Sequence, residues 1–303
     1  MYINRETLRL DYEVESHEAG LKVIDVLATS MDLSSRLIRK CKNHKHIFLN
    51  QKDGSVNRIV QKGDVISVLL DHDENTFDPN PIEIKILYED GDMLVVDKPP
   101  FLVVHPTKGH PYGTLANAVS HHQYQNGQNY KIRFINRLDR DTSGVLLIAK
   151  NAFAQQVISD QMQNDLVEKI YYAILEGTLA DDSGTINLPI ERVEELDIKR
   201  AVLENGVNSV THYKVIKRFE KHTLVEIKLE TGRTHQIRVH FSHIGHPVLG
   251  DALYGTASPL INRQALHCHL MSFKPPRSQE VIAVTADIPE DMKKAIEHLT
   301  PLI

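Results

Sequence analysis

Residues 132–164 read IRFINRLDRDTSGVLLIAKNAFAQQVISDQMQN. Two short apolar runs, 132–135 and 145–149, have strand length and flank the polar loop 136–144. Asn151 stands where a helix cap belongs, and the pattern after it predicts a helix to about Asn164. Upstream, runs at 82–87, 93–96 and 102–104 read as strands split by Gly91-Asp92 and Lys98-Pro99-Pro100, and 115–120 as a short helix. Downstream, 170–175 reads as a strand, and 224–229 nearly alternates as a half-buried strand does. Thr234 is placed to cap a helix carrying Ile237, Phe241 and Ile244 on one face and closed by Gly245. A strand at 281–284 and a helix at 291–299 end the pattern. Strands and helices do not alternate strictly and several strand pairs look like hairpins. That favours an α+β fold with a mixed, mostly antiparallel sheet over a doubly wound one.

Ahead of this region lies a small α+β module at residues 1–70. Leu21, Ile24, Leu27 and Met31 recur at helical spacing. A second short helix follows, started by Ser34 or Ser35 and carrying Leu33, Leu37 and Ile38, and 47–49 and 65–68 read as strands. From 36 to 62 there are eight Lys or Arg against one acid, a net of +7; from 71 to 92 there is one Lys against eight acids, a net of −7. Arg36, Arg39 and Lys40 share one helical face, which suits an RNA or DNA phosphate backbone and equally an ordinary solvated surface. The acidic, proline-bearing stretch 71–81 reads as a linker, leaving 82–303 as the larger unit.

The chain has 303 residues, 41% hydrophobic and 25% charged, with a formal net charge of −5. These are values of a globular protein and exclude a mainly disordered one. No apolar run approaches the roughly 20 residues that cross a bilayer, and the first ten residues do not resemble a leader. Cys41 and Cys268 form no disulfide framework, so the expected compartment is the reducing cytoplasm.

Two stretches carry the possible chemistry. In the loop 136–144, Asp139 lies between Arg137 and Arg140, and nearby cations favour an ionised carboxylate able to act as nucleophile or base; a surface loop of Arg–Asp pairs has the same spacing. In TGRTHQIRVH, 231–240, Arg233 and Arg238 flank a helix start, where an anion would be held, or where two arginines are simply solvated. Adjacent Tyr171 and Tyr172 must point to opposite sheet faces, so one can meet a ligand while the other packs, or both pack. His235, His240, His243, His246, His267 and His269 raise a metal-dependent hydrolase as a possibility, but they lack the HExxH spacing and a Cys pair. Phosphate-loop and dinucleotide-binding motifs are both absent from the sequence.

Taken together these stretches resemble the RluA-type, RluD-like RNA pseudouridine synthases. NRLDRDTSGVLLIAK is similar to the catalytic motif of that family, and DGDMLVVDKPPFLVVHP, EKIYYAILEG and LETGRTHQIRVHFSHIGHPVLGDALYG to its other motifs, in the same order. The N-terminal module resembles the ribosomal-protein-like RNA-binding domain often fused to these enzymes. The resemblance implies a catalytic sheet with a central cleft, and isomerisation of uridine within structured RNA to pseudouridine. It implies no cofactor, no metal and no obligate protein partner, with large-subunit ribosomal RNA ahead of transfer RNA as substrate. It implies Asp139 as the residue that attacks the ribose or starts proton removal there, and Arg238 as its basic partner. Tyr171 would stack on the target base, with a base role in proton transfer also open to it. Arg137 would fill the vacated stack, Leu229 line the uracil pocket, and Arg233 support or bind phosphate. Arg36, Arg39 and Lys40 would contact RNA. The family usually has histidine where this chain has Asn136, and an arginine after the first glycine of the small domain where Gly20-Leu21-Lys22 stands here. The alternative is a catalytically inactive RNA-binding or ribosome-assembly factor on the same fold.

Overall fold

The computed structural model describes residues 8–107, 109–194 and 198–300. Part of the N-terminal stretch read above as lacking a leader, residues 1–7, lies outside the described residues. In chain order the elements are β1 (Arg9–Glu13), α1 (Val23–Thr29), α2 (Ser35–Asn43), β2 (Ile47–Leu49), β3 (Lys52–Asp53), β4 (Val65–Leu69), β5 (Lys85–Glu89) and β6 (Met93–Lys98). There follow α3 (Leu115–Gln125), β7 (Arg133–Phe134), β8 (Ser143–Ala149), α4 (Ala152–Gln163), β9 (Glu168–Glu176), β10 (Ser183–Asn187), β11 (Ile190–Arg192) and β12 (Arg200–Val202). The last are β13 (Val210–Arg218), β14 (His222–Leu229), α5 (Gln236–His243), β15 (Leu266–Phe273), β16 (Ile282–Thr285) and α6 (Glu290–Leu299).

The fold is α+β. One sheet, ordered β1-β4-β2-β3 and antiparallel throughout, belongs to the N-terminal module. A ten-stranded sheet, β10-β13-β14-β9-β15-β8-β6-β5 with β16 on β15 and β7 on β8, belongs to the rest. All its pairings are antiparallel except β8 with β15. β8 is buried at every position, as befits a central strand reached by apolar residues from both faces.

Local signals explain most of the elements. The Ser34 hydroxyl accepts from the Leu37 N–H and starts α2, and the Asn151 side chain does the same for α4 through Ala154. α1 is shorter than its apolar spacing predicts, and Leu21 lies outside it and exposed. Residues 102–104 form no ladder; the Val103 and Val104 carbonyls instead accept from Leu115 and Ala116 at the start of α3, which supplies donors a strand partner would otherwise provide. α5 opens with His235 rather than Thr234 in the cap position, at a φ of 58° and without a side-chain cap bond.

The acidic stretch 71–81 is docked along its length. Asp71 and Asp73 both pair with Lys40, Asp73 also with Arg133, and Phe77 packs against the main core. Part of the −7 block thus neutralises part of the +7 block, and Arg36 and Arg39 stay exposed on α2. Phe153 of α4 enters the core of the N-terminal module, and Gln156 accepts from the Ser34 N–H while donating to the Asp32 carbonyl. Among the described residues no helix is long and apolar enough to cross a membrane.

Beneath the loop 136–142, β8 and β15 run in parallel with Gly144 opposite Cys268. Gly144 has a φ of 113°, and a Cβ there would fall inside the Cys268 backbone. Gly144→Ala is expected to cost at least about 2 kcal/mol, from a left-handed backbone plus a main-chain clash that no side-chain rotation relieves. The check is soluble yield and urea midpoint; an unchanged midpoint would mean that the two strands separate freely.

Candidate active site

The loop between β7 and β8 is held from below by groups remote in sequence. Lys98 is fully buried, and its ammonium donates to the carbonyls of Pro99 (2.9 Å), Leu102 (3.0 Å) and Arg140 (2.8 Å). Burial pushes its pKa down to about 7, with the Arg263 charge adding to the effect. Arg263, also buried, donates to the Asp141 carbonyl and is gripped at both ends by Asp291. Asn136 accepts from the Leu147 N–H at 2.8 Å and donates to the Val145 carbonyl, closing the loop onto the start of β8. Asn136 thus ties the loop to β8 while also lining the cleft.

Asp139 projects from this loop into a cleft of about 1120 Å³ and a smaller recess of about 70 Å³ that it shares with Tyr171, Leu229 and Arg238. Its sequence neighbours do not hold it. Arg140 turns to Asp141 at 2.7 Å, and Arg137 reaches Thr234 across the cleft. The guanidinium on Asp139 is that of Arg238, 99 positions on, whose Nη1 donates to Oδ2 at 2.9 Å. Among the described residues nothing bonds Oδ1, so one carboxylate oxygen is fixed and the other faces the cleft.

Arg238 is buried, and its other nitrogens grip Asp251 in a two-pronged pair, Nε to Oδ2 at 2.6 Å and Nη2 to Oδ1 at 2.8 Å. Burial opposes its charge, but the Asp251 and Asp139 carboxylates overcome that and hold the guanidinium protonated more firmly than usual. The Tyr254 ring lies beneath it at 5.0 Å. The Tyr254 hydroxyl accepts from the Arg200 N–H and is hydrogen-bonded to His235 Nδ1 at 2.8 Å. His235 Nε2 lies 3.6 Å from Asp139 Oδ2; burial lowers the imidazole pKa and the Asp139 charge opposes that.

Tyr171 and Tyr172 part as their positions on β9 require. Tyr172 stacks on His269 at 4.5 Å, and Tyr171 faces the recess. Burial first, and the Cys268 thiol next, push the Tyr171 phenol well above its ordinary value. The hydroxyl is hydrogen-bonded to Cys268, and the ring lines the recess. Leu229 lines the recess, and Arg233 stands exposed at its mouth, where Gln236 accepts from the Arg233 and Thr231 groups and pins the turn.

Two of the remaining histidines, His240 and His267, are committed to structure. His240 donates from Nε2 to the Leu188 carbonyl and accepts from the Thr211 hydroxyl; His267 does the same with Ala286 and Ser143. Among the described residues the one grouping with metal-ligand spacing is His44, His46 and Asp71, in the N-terminal module, where Lys40 already pairs with Asp71. Burial drives His267 down to about 4 from 6.5. A base depressed in this way is neutral in the fold but protonates in the unfolded chain. Its stabilisation is present above pH 6.5 and lost as pH falls toward 4, about 3 kcal/mol in all. His267→Gln, which keeps a donor and an acceptor, is expected to flatten the fall of Tm between those pH values. A variant profile parallel to that of the wild type would assign acid lability elsewhere.

Lys98, Asp251, Gln236 and Arg263 escaped the sequence reading, and His235 entered it only as a possible metal ligand. Lys98 and Asp251 lie inside motif-like stretches, 90–106 and 229–255, but only their partners reveal what they do.

Comparison with known proteins gives a consistent picture. A family profile described as RNA pseudouridylate synthase matches residues 92–243. The chain is 38% identical over 294 residues to a Bacillus subtilis protein named uncharacterized RNA pseudouridine synthase YhcT, covering 96% of this chain and 97% of that one. It is 35% identical over 311 residues to ribosomal large subunit pseudouridine synthase D of Nitrosomonas europaea, covering 99% of this chain and 90% of the relative. Among solved structures it resembles human RNA pseudouridylate synthase domain containing 1, with a TM-score of 0.56 and 27% identity, over 70% of this chain and 86% of that one.

Proposed function

We propose, since the chain belongs to the RNA pseudouridylate synthase family and is thereby an isomerase acting on RNA, that its substrates are uridines of large-subunit ribosomal RNA. In this reading the Asp139 carboxylate starts the reaction at the ribose of an everted uridine. The observation that carries it is a carboxylate with one oxygen tied to a buried guanidinium and the other open to a cleft. The bond from C1′ to N1 breaks, the base turns, and a bond from C1′ to C5 forms. C5 loses a proton and N1 gains one, so the atoms balance without oxidant, reductant or group donor. That balance is why no cofactor is invoked.

Each remaining residue has a task in this scheme. Arg238 orients Asp139 and keeps it charged. Tyr171 and Leu229 sandwich the uracil, and Arg137 enters the space that the base leaves, offsetting the few kcal/mol of unstacking. Arg233 meets a phosphate at the mouth. Residues 1–70 form the anchoring module, with Arg36 and Arg39 turned to the RNA and Lys40 shaping the helix end through Asp71 and Asp73. The two unpaired cysteines suit a cytoplasmic protein. With Asn136 serving as a loop clamp, nothing favours an inactive assembly factor.

The test is tritium release from RNA labelled at C5 of uridine, paired with carbodiimide-blocked reverse transcription in cells with and without the gene. Stops in large-subunit ribosomal RNA that vanish with the gene support the reading. Stops that vanish only from transfer RNA would reassign the substrate, and no release from either would remove the activity.

A further inference from the structure

Among the described residues, buried Lys and Arg side chains have partners, with one exception. Lys98 sits on three carbonyls, Lys150 on Glu89 and the Asp90 carbonyl, Arg133 on Asp73, Arg238 on Asp139 and Asp251, and Arg263 on Asp291. Lys169 is only 8% exposed, yet among the described residues no hydrogen bond or ion pair holds its ammonium. Burial lowers its pKa, and Asp165 opposes that from beyond ion-pair range. Its stem is buried while the ammonium reaches the large cleft, and a partly desolvated charge kept without a protein counter-ion calls for a reason.

The place of Lys169 supplies it. It lies two positions before Tyr171 on β9, hence on the same sheet face, with Met271 opposite it on β15. It lines the large cleft but not the recess that Tyr171, Leu229 and Asp139 form. A base lodged in the recess therefore leaves Lys169 beside the strand that carries it. Of the groups an RNA strand presents there, bases and sugars are neutral and only the phosphodiester carries the charge that the ammonium lacks. We propose that Lys169 is a built-in seat for the RNA phosphate adjoining the everted nucleotide, kept unpaired in the free protein so that the phosphate becomes its counter-ion. This rests on the isomerase reading above and deepens it.

The probe is total RNA, tritiated at C5 of uridine, from cells lacking the gene. Single-turnover release and filter binding are followed against KCl concentration for the wild type, Lys169→Met and Lys169→Arg. Met keeps the stem and the packing and removes the charge. Lys169→Met is expected to raise the half-saturating RNA concentration about tenfold, more than it lowers the maximal rate. It should also reduce the salt slope by about 0.7, one phosphate's worth on a single strand. Lys169→Arg should restore the slope. The Tm of Lys169→Met should equal or exceed that of the wild type, because a desolvated charge is gone; a merely structural lysine predicts a lower one. Wild-type half-saturation and slope in Lys169→Met would overturn the assignment. Failure of the wild type to release tritium would instead overturn the isomerase reading, and the filter-binding slopes would still decide Lys169.

Discussion

Asp139→Asn is expected to lower tritium release by at least about four orders of magnitude while leaving RNA binding and the fold intact. The asparagine carbonyl can still accept from Arg238 Nη1, so the one contact that fixes the side chain survives. What disappears is the negative charge and lone-pair basicity of the oxygen that faces the cleft. Deleting the group that attacks or takes the first proton costs on this scale in enzymes where such a group acts as a unit with its partners. The side chain is part-exposed at the cleft, so the substitution strands no buried charge of its own. A single-turnover assay, with filter binding of the same RNA, checks both halves. Release within tenfold of the wild type would take Asp139 out of the chemistry. Lost binding together with lost release would make it an RNA contact instead.

Arg238→Met is expected to destroy activity and also to cost about 3–5 kcal/mol of stability. The two effects have different origins. Activity falls because Asp139 loses the cation that orients it. Stability falls because Asp251, only 1% exposed, loses the two-pronged pair at 2.6 and 2.8 Å and remains as an uncompensated buried charge, supported only by the Leu253 and Tyr254 N–H groups. Arg238→Lys should sit between, since an ammonium keeps the charge but cannot fork to both Asp251 oxygens and Asp139. The check is urea unfolding beside the release assay. The double variant Arg238→Met with Asp251→Leu is expected to regain much of the stability and none of the activity, because it removes the stranded charge without restoring the partner of Asp139. Full stability in Arg238→Met alone would mean that Asp251 finds water or another donor.

Much of this protein was legible before any tertiary contact. The helix from Asn151, the helix started at Ser34 and the strands around the loop 136–144 follow from caps, turn residues and apolar spacing, which act within a few residues of themselves. β15 was not legible, because His267 and His269 interrupt its apolar pattern; buried, His267 is accommodated by Ser143 and Ala286, groups on other strands. Strands β10 to β13 were missed for a related reason: their polar-rich segments acquire strand character from ladder partners.

The sequence by itself determined the alternation of local elements, the opposite facing of Tyr171 and Tyr172, and the set of motifs that mark the family. Spacing alone left Arg137 and Arg140 beside Asp139 and the motifs implied Arg238 as its partner; the tertiary structure is what puts the Arg238 guanidinium on that carboxylate. Adjacent Arg137 and Arg140 look elsewhere, and Arg238 arrives from α5, while Lys98 and Arg263 brace the loop from other elements. The physical reason is range. Caps and periodicity are properties of neighbours along the chain, whereas an ion pair in a cleft depends on strand register and on burial, and those exist only once the β8–β15 crossing has formed.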